Sequence, residues 1–370
     1  MKKKLISLMM ASAMLIPGAM LLGGCDHEHE YGEWETKTAA TCQEAEVEVR
    51  KCACGAEETR EGDPATGHTY QVEYTYDAEK HWRNANCGHN VTIEKSAHID
   101  TDQDDICDVC KYGAVAKIGD KYFTSLQDAV NSIEDKTQQV TIQLTASKSG
   151  GGVIVDGQNV VFEMNGYAYT VDAPPVGSAG TETLGFQLLQ GSTVTFKNGT
   201  LKTAGTTVKM LIQNYCDLTL EDVIVDATSN GAVDCYYALS NNCGNVVLKG
   251  ETIIKADEGY CAFDLWFGLG ANYDTGVTVT FDESFAGGVI GNIEYGACNT
   301  ERVADWEALT KLVIKGGAFS AEDGIVLTSA MDYANIEIKG GVFDFDISEY
   351  VNTDTHKIVS INDTYMVVKK

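Results

Sequence analysis

The chain has 370 residues, 54 acidic against 27 basic side chains, 37 glycines, 4 prolines and 12 cysteines. A formal charge of −27 excludes nucleic acid as a partner, because affinity for a phosphate backbone is built on Lys and Arg. A hydrophobic content of 44 % excludes wholesale disorder, and at ~100–200 residues per domain the length allows one large core and something smaller.

The amino terminus reads as an address. Lys2, Lys3 and Lys4 precede an apolar run from Leu5 to Leu22, which ends Leu22-Gly23-Gly24-Cys25. A basic head, a short apolar stretch and small residues before the cut describe an export signal. The ending resembles the lipobox of bacterial lipoproteins, in which the Cys is diacylated and becomes the first residue of the mature chain. The resemblance implies a signal peptide over 1–24, membrane lipid as a partner through acylated Cys25, and an extracytoplasmic, lipid-anchored position at the bacterial cell surface. The competing reading is an uncleaved transmembrane helix, for which the apolar run is near the lower limit.

Cysteine and histidine crowd into residues 25–112. Seven cysteines precede residue 112, as do six of the seven histidines. Disulfides do not need histidine, whereas metal sites use it. A module of ~40 residues with little apolar material needs a staple to fold, and metal supplies one. The first module, 25–70, contains His29, then Cys42, then Cys52-Ala53-Cys54-Gly55, and closes Ala65-Thr66-Gly67-His68. It resembles a Cys/His repeat of cell-surface proteins from Gram-positive anaerobes, although its Cys pair has one intervening residue where that repeat has two. The candidate ligands are Cys42, Cys52 and Cys54 with His29 or His68.

The second module, 71–112, reads His81-Trp82, Cys87-Gly88-His89, His98 and Cys107-Asp108-Val109-Cys110. It resembles the companion repeat, with Asn84 where that repeat carries the first Cys of its first pair. Cys87, His98, Cys107 and Cys110 remain as one four-ligand set of the thiolate-rich kind that suits structural zinc. Disulfide pairing and reduced thiols stay open beside it. Asp100, Asp102 and Asp104 echo a calcium loop, but Asp105 and Lys111 occupy the positions that need glycine and glutamate, so a solvated acidic connector is the better reading. Closed Cys-rich sets are structural as a rule, which makes these modules spacers or weak binding surfaces.

From Gly113 the composition changes to short β-branched runs punctuated by Gly, Asn and Asp. A strand over 114–119 precedes a helix over 124–133, with Ser125 as N-cap and Leu126, Ala129, Val130 and Ile133 on one apolar stripe. Its natural use is to cover the open end of a sheet. One phrase then recurs, an apolar triplet followed by a turn pair, beginning at Val161, Val194, Leu218, Val246, Val279, Leu312 and Ile336. The steps are 33, 24, 28, 33, 33 and 24 residues, the spacing of coils with loops at their corners. A second phrase keeps step with it at Leu188, Leu211 and Leu239, and its polar turn residues can stack into ladders. Cys235 and Cys261 read as buried small side chains.

This part resembles the right-handed β-helix, or pectate-lyase-like, domains attached to many clostridial surface proteins. The resemblance covers nearly all of 114–370 and includes the Lys-Gly-Gly-x-Phe phrases at 315–319 and 339–343. The expected fold class is therefore all-β: a right-handed parallel β-helix over 113–370 with an N-terminal capping helix, preceded by two small metal-stapled Cys/His modules.

Chemistry is harder to find on the coil. Lyases of this architecture use Asp-bound calcium with a cationic base, yet the only arginine after residue 113 is Arg302; hydrolases use paired Asp and a Gly-His-Gly phrase, yet the only histidine is His356. No catalytic residue is assigned. Aromatic residues interleaved with carboxylates suit neutral sugar rings, which makes Tyr236, Tyr237, Tyr260, Asp264, Trp266, Phe267 and Trp306 the candidate ligand contacts. The leading expectation is a surface lipoprotein that binds glycan or a cell-surface ligand without turnover. A polysaccharide lyase or hydrolase and a purely structural stalk are its rivals.

Overall fold

Nearly all the regular structure is β. The computed structural model describes residues 28–204, 208–228, 235–267, 276–297, 309–327 and 335–370. The chain divides into two compact units that part between Ser96 and Ala97.

In the first unit, two three-stranded sheets succeed one another along the chain. Glu35–Thr38, Val47–Lys51 and Glu57–Glu61 form an antiparallel meander, and Thr75–Tyr76, Lys80–Asn84 and Thr92–Ala97 form the second sheet. Neither buries much: among the described residues of this unit only Val49, Cys52, His81 and Ala85 are buried. Side-chain pairs across the strands stand in for a core. The Arg50 and Arg60 guanidinium groups lie 4.7 and 4.3 Å from the Trp34 ring, and the same arginines pair with Glu58 and Glu48. Exposed pairs of this kind contribute little each.

The second unit is built on parallel strands. Val160, Val194, Leu218, Val246, Val279, Leu312 and Ile336 pair in unbroken succession, and all are buried. Six of these seven begin the phrases read from the sequence. The first phrase starts one residue earlier than expected, at Val160, because Val160, Val161 and Phe162 are consecutive apolar residues that hide the strand alternation. The row also extends upstream, where Val140 pairs with Val160.

Two positions on, a second inward row runs Phe162, Phe196, Leu220, Leu248, Phe281 and Ile314. The rings of Phe162 and Phe196 stack at 4.8 Å, and Phe319 and Phe343 do so at 4.7 Å. A separate seven-stranded parallel sheet, from Val153–Val155 to Ile325–Leu327, contributes Phe186, Ile212, Leu239, Phe263 and Ile293 to the same core.

Polar residues of the second phrase do stack in this sheet, but its register is shifted at both steps: Ile212 rather than Leu211 lies opposite Leu239, and Asn214 rather than Leu211 lies opposite Leu188. Asn214 lies opposite Asn241 and its Nδ2 donates to Asn241 Oδ1 at 2.8 Å, both side chains being buried. Gln213 aligns with Gln187 rather than Gln190. The cysteines behave as packing residues. Cys216, Cys235 and Cys243 are buried and Cys261 is half-buried, and burial pushes Cys235 and Cys261 up to about 12. Cys261 pairs with Tyr237, however, so it does not stack on Cys235. Cys298 lies outside the described residues.

The helix is Leu126–Asn131, shorter than the expected 124–133, with Ser125 accepting from the Asp128 N–H at its start. Its Gln127 reaches the outermost strand of the seven-stranded sheet. Ile154 N donates to Gln127 Oε1 at 2.7 Å and Gln127 Nε2 donates to Ile154 O at 3.1 Å. At the other end the antiparallel hairpin of His356–Ile361 and Thr364–Lys369 pairs onto Gly341–Phe343.

Candidate metal centres and the aromatic surface

Short backbone links bring the Cys/His residues of the first unit together. Thr66 N donates to Thr41 O at 2.9 Å, while Tyr70 bridges Ala85 and Asn86 N donates to Thr69 O at 2.9 Å. His68 thus sits between a link to the Cys42 turn and a link to the Cys87 turn. The result is a four-residue cluster, Cys42, His68, Cys87 and His89, whose ligand atoms all lie within 4.8 Å of one another.

Three of its edges can be compared with a metal tetrahedron. Cys42 Sγ is 3.2 Å from His89 Nδ1, Cys87 Sγ is 3.3 Å from the same nitrogen, and His68 Nδ1 is 3.1 Å from Cys87 Sγ. A tetrahedral ion with Zn–S and Zn–N bonds of ordinary length has an S···N edge of ~3.5 Å. The donor set fits a small, borderline-soft divalent ion with a shift of a few tenths of an ångström. The two thiols differ: the backbone N–H of His89 holds Cys87 below the usual range, and desolvation with the neighbouring Cys87 raises Cys42.

A second cluster in this unit is His29, Cys52 and Cys54, with Cys54 Sγ 3.3 Å from His29 Nδ1. The expected grouping of Cys42 with Cys52 and Cys54 is therefore divided. The turn Cys52-Ala53-Cys54-Gly55, in which Gly55 has a φ of +90°, directs its thiols to His29, while Cys42 joins His68.

His98, Cys107 and Cys110 come together in the second unit, with Cys110 Sγ 3.3 Å from His98 Nδ1 and the His98 ring stacked on Tyr112 at 4.4 Å. Cys87, expected among them, belongs to the Cys42 cluster instead. Burial opposes ionisation of Cys107, but the N–H groups of Cys110 and Ile99 and the His98 side chain outweigh it and bring the thiol down to about 6. Burial pushes Cys110 up to about 11. Gly113 closes this segment with a φ of +99°, and a Cβ there would lie 2.1 Å from the Asp105 carbonyl oxygen, so no other residue fits without rearrangement. The Asp100 and Asp104 carboxylates accept backbone N–H bonds from Asp104, Asp105 and Ile106, a use consistent with a connector turn.

On the parallel unit the aromatic candidates separate. Tyr236 is 42 % exposed, and its ring lies 5.7 Å from that of Tyr260 and 4.8 Å from Lys209 Nζ. Trp266 is half-buried. Phe267 is fully buried in the core beside Phe263 and Leu265, so it is unavailable as a ligand contact. Its place in the alternation Phe263, Leu265, Phe267 assigns it to the inward face. Trp306 lies outside the described residues, as does Cys25.

Asp264, between two core residues, faces the other side of the sheet, yet it is only 3 % exposed. It accepts from the Asn241 N–H and from Ser240 Oγ, and burial pushes its carboxyl up to about 8. Glu294 is its neighbour on the next strand and accepts from Tyr237 Oη at 2.6 Å. Nothing in the sequence aligned Glu294 with Asp264, because the strands are separated by a long insertion. A shallow groove of about 710 Å³ is also present, lined by Thr200, Ile224, Ile253 and Gly288 in register and by Asn198, Asp222 and Glu251.

Among the described residues no helix is long and apolar enough to cross a membrane. Comparison with protein-family models, with curated proteins and with solved structures finds no match for this chain.

Proposed function

We propose that this chain is a bacterial surface lipoprotein, anchored through acylated Cys25, whose Cys/His part is a zinc-stapled spacer and whose residues 113–370 coil as a right-handed parallel β-helix that binds neutral glycan without turnover. Support for the coil comes from the seven-position parallel register and from steps as short as 24 residues. Support for zinc comes from the Cys/His donor sets. The observation that carries the binding reading is the Tyr236–Tyr260 pair on the parallel unit, with the Tyr236 ring exposed and that of Tyr260 half-buried beside it. Sugar rings stack on such faces.

A second reading, a glycoside hydrolase, is favoured by one feature: Asp264 and Glu294 are neighbours on adjacent strands and burial pushes Asp264 up to about 8, and glycoside hydrolysis uses a pair of carboxyl groups, the acid of which has a raised pKa. The near-complete burial of Asp264 argues against its meeting a substrate. A glycan panel assayed both for retention and for release of reducing ends separates the two. Retention that weakens about three- to tenfold in Tyr236→Ala, with no product released, is the expected result. Product release lost in Asp264→Asn would establish the hydrolase, and a panel with neither signal would leave a structural stalk.

A further inference from the structure

The Cys42 cluster draws two ligands from each of two repeats. Cys42 and His68 belong to the first module and Cys87 and His89 to the second. From this juxtaposition we propose that one Zn²⁺ is shared between the repeats, bound by Cys42, His68, Cys87 and His89, so that the two modules form a single metal-dependent unit. The proposal rests on the zinc reading above and gives it a specific ligand set.

Three observations argue for a shared ion. First, the donors interleave. His89 Nδ1 is near both thiols, and His68 Nδ1 is near the thiol of the other repeat. Two separate ions would need each repeat to turn its ligands inward, and two of the three contacts run between the repeats. Second, the backbone already crosses the repeat boundary beside the donors, through the Tyr70–Ala85 bridge and the Asn86–Thr69 bond. The metal would lock a junction that the strands have begun.

Third, the alternatives each leave something over. A Cys42–Cys87 disulfide would close the same loop but gives no use for two imidazoles converging on the sulfurs, and both cysteines are free thiols. The donors of the first repeat have been divided, with Cys52 and Cys54 committed to His29. That leaves Cys42 and His68 as two ligands, too few for a tetrahedral structural site, until Cys87 and His89 complete it. Asn84, which replaces a cysteine in the second repeat, fits the same arrangement: its Nδ2 donates to Thr75 Oγ1 at 2.7 Å and its Oδ1 accepts from Trp82 Nε1. This repeat then supplies two ligands, Cys87 and His89, to a site whose other half is elsewhere.

The test is metal stoichiometry on the full chain purified in zinc. Cys42→Ser and Cys87→Ser should each lose one and the same ion, and the double variant should lose no more than either. Cys54→Ser should lose a different ion, and its loss should add to theirs. To separate ligand loss from misfolding, His89→Cys should keep the ion and, with cobalt in place of zinc, strengthen the thiolate-to-metal absorption as two thiolates become three. Additive loss in Cys42→Ser with Cys87→Ser would overturn the shared site while leaving zinc binding intact. Wild-type protein without zinc would overturn both readings.

Discussion

The two units solve the same problem with opposite means. In the first, four described residues are buried and order depends on where a few thiols and imidazoles meet. In the second, each successive parallel strand repeats the apolar positions of the one before, so that each interior strand buries its inward face beside two neighbours. Burial is spread over dozens of side chains there, and no single contact carries the fold. A chain can thus place a brittle element beside a redundant one. The difference should be visible as a difference in what breaks each.

The largest expected effect is removal of metal. Structural zinc contributes ~10–16 kcal/mol in small zinc-dependent domains, more than the exposed ion pairs of the first unit can replace. Chelation of the full chain should abolish amide-exchange protection in Val47–Lys51 and Lys80–Asn84. Protection at Val194, Leu218 and Val246 should survive. Equal loss in both units would show that the parallel unit also depends on the metal, and no loss in either would show that the first unit has another source of stability.

This contrast also explains what the sequence could disclose. The parallel sheet was legible because its information is periodic: Val194, Leu218, Val246, Val279, Leu312 and Ile336 start equivalent phrases and pair with one another. Where the local pattern was saturated with apolar residues, at Val160-Val161-Phe162, the phase was lost by one residue. In the first unit the ligand types were legible, since Cys and His stand out by composition, but the grouping was not. Which thiol meets which imidazole depends on the turn at Gly55 and the bridge between Tyr70 and Ala85, and spacing carries neither. The Asp264–Glu294 pairing was hidden in the same way, by an insertion that sets two neighbours 30 residues apart.

A smaller effect is expected from the buried acid of the parallel unit. Folded Asp264 keeps its proton to about pH 8, whereas an unfolded aspartate releases it near 4. Between those values the unfolded state carries fewer protons, so stability falls as pH rises, by at most ~1.4 kcal/mol per pH unit for one proton. Its contribution is fully present below about pH 4 and is lost as pH passes through about 8. Asp264→Asn keeps an acceptor for the Asn241 N–H and should flatten this slope in denaturant titrations of the parallel unit at pH 5 and pH 8. An unchanged slope would place the dependence elsewhere.

The smallest effect concerns the edge of the seven-stranded sheet, where redundancy stops. An interior strand has a neighbour on each side, but the outermost strand Val153–Val155 has one, Leu184–Leu188. Gln127 supplies the missing partner with a single carboxamide, which accepts from Ile154 N and donates to Ile154 O. A glutamate there could accept from Ile154 N but would face the Ile154 carbonyl with a second acceptor. Gln127→Ala and Gln127→Glu should each destabilise the parallel unit by about 1–3 kcal/mol, the cost of leaving half-buried backbone groups unpaired. Gln127→Ala should also speed amide exchange at Ile154 while leaving Val246, paired on both sides, unchanged. If Ile154 exchanges no faster, this sheet edge is protected by packing of Leu126, Ala129 and Val130, and the carboxamide only decorates it.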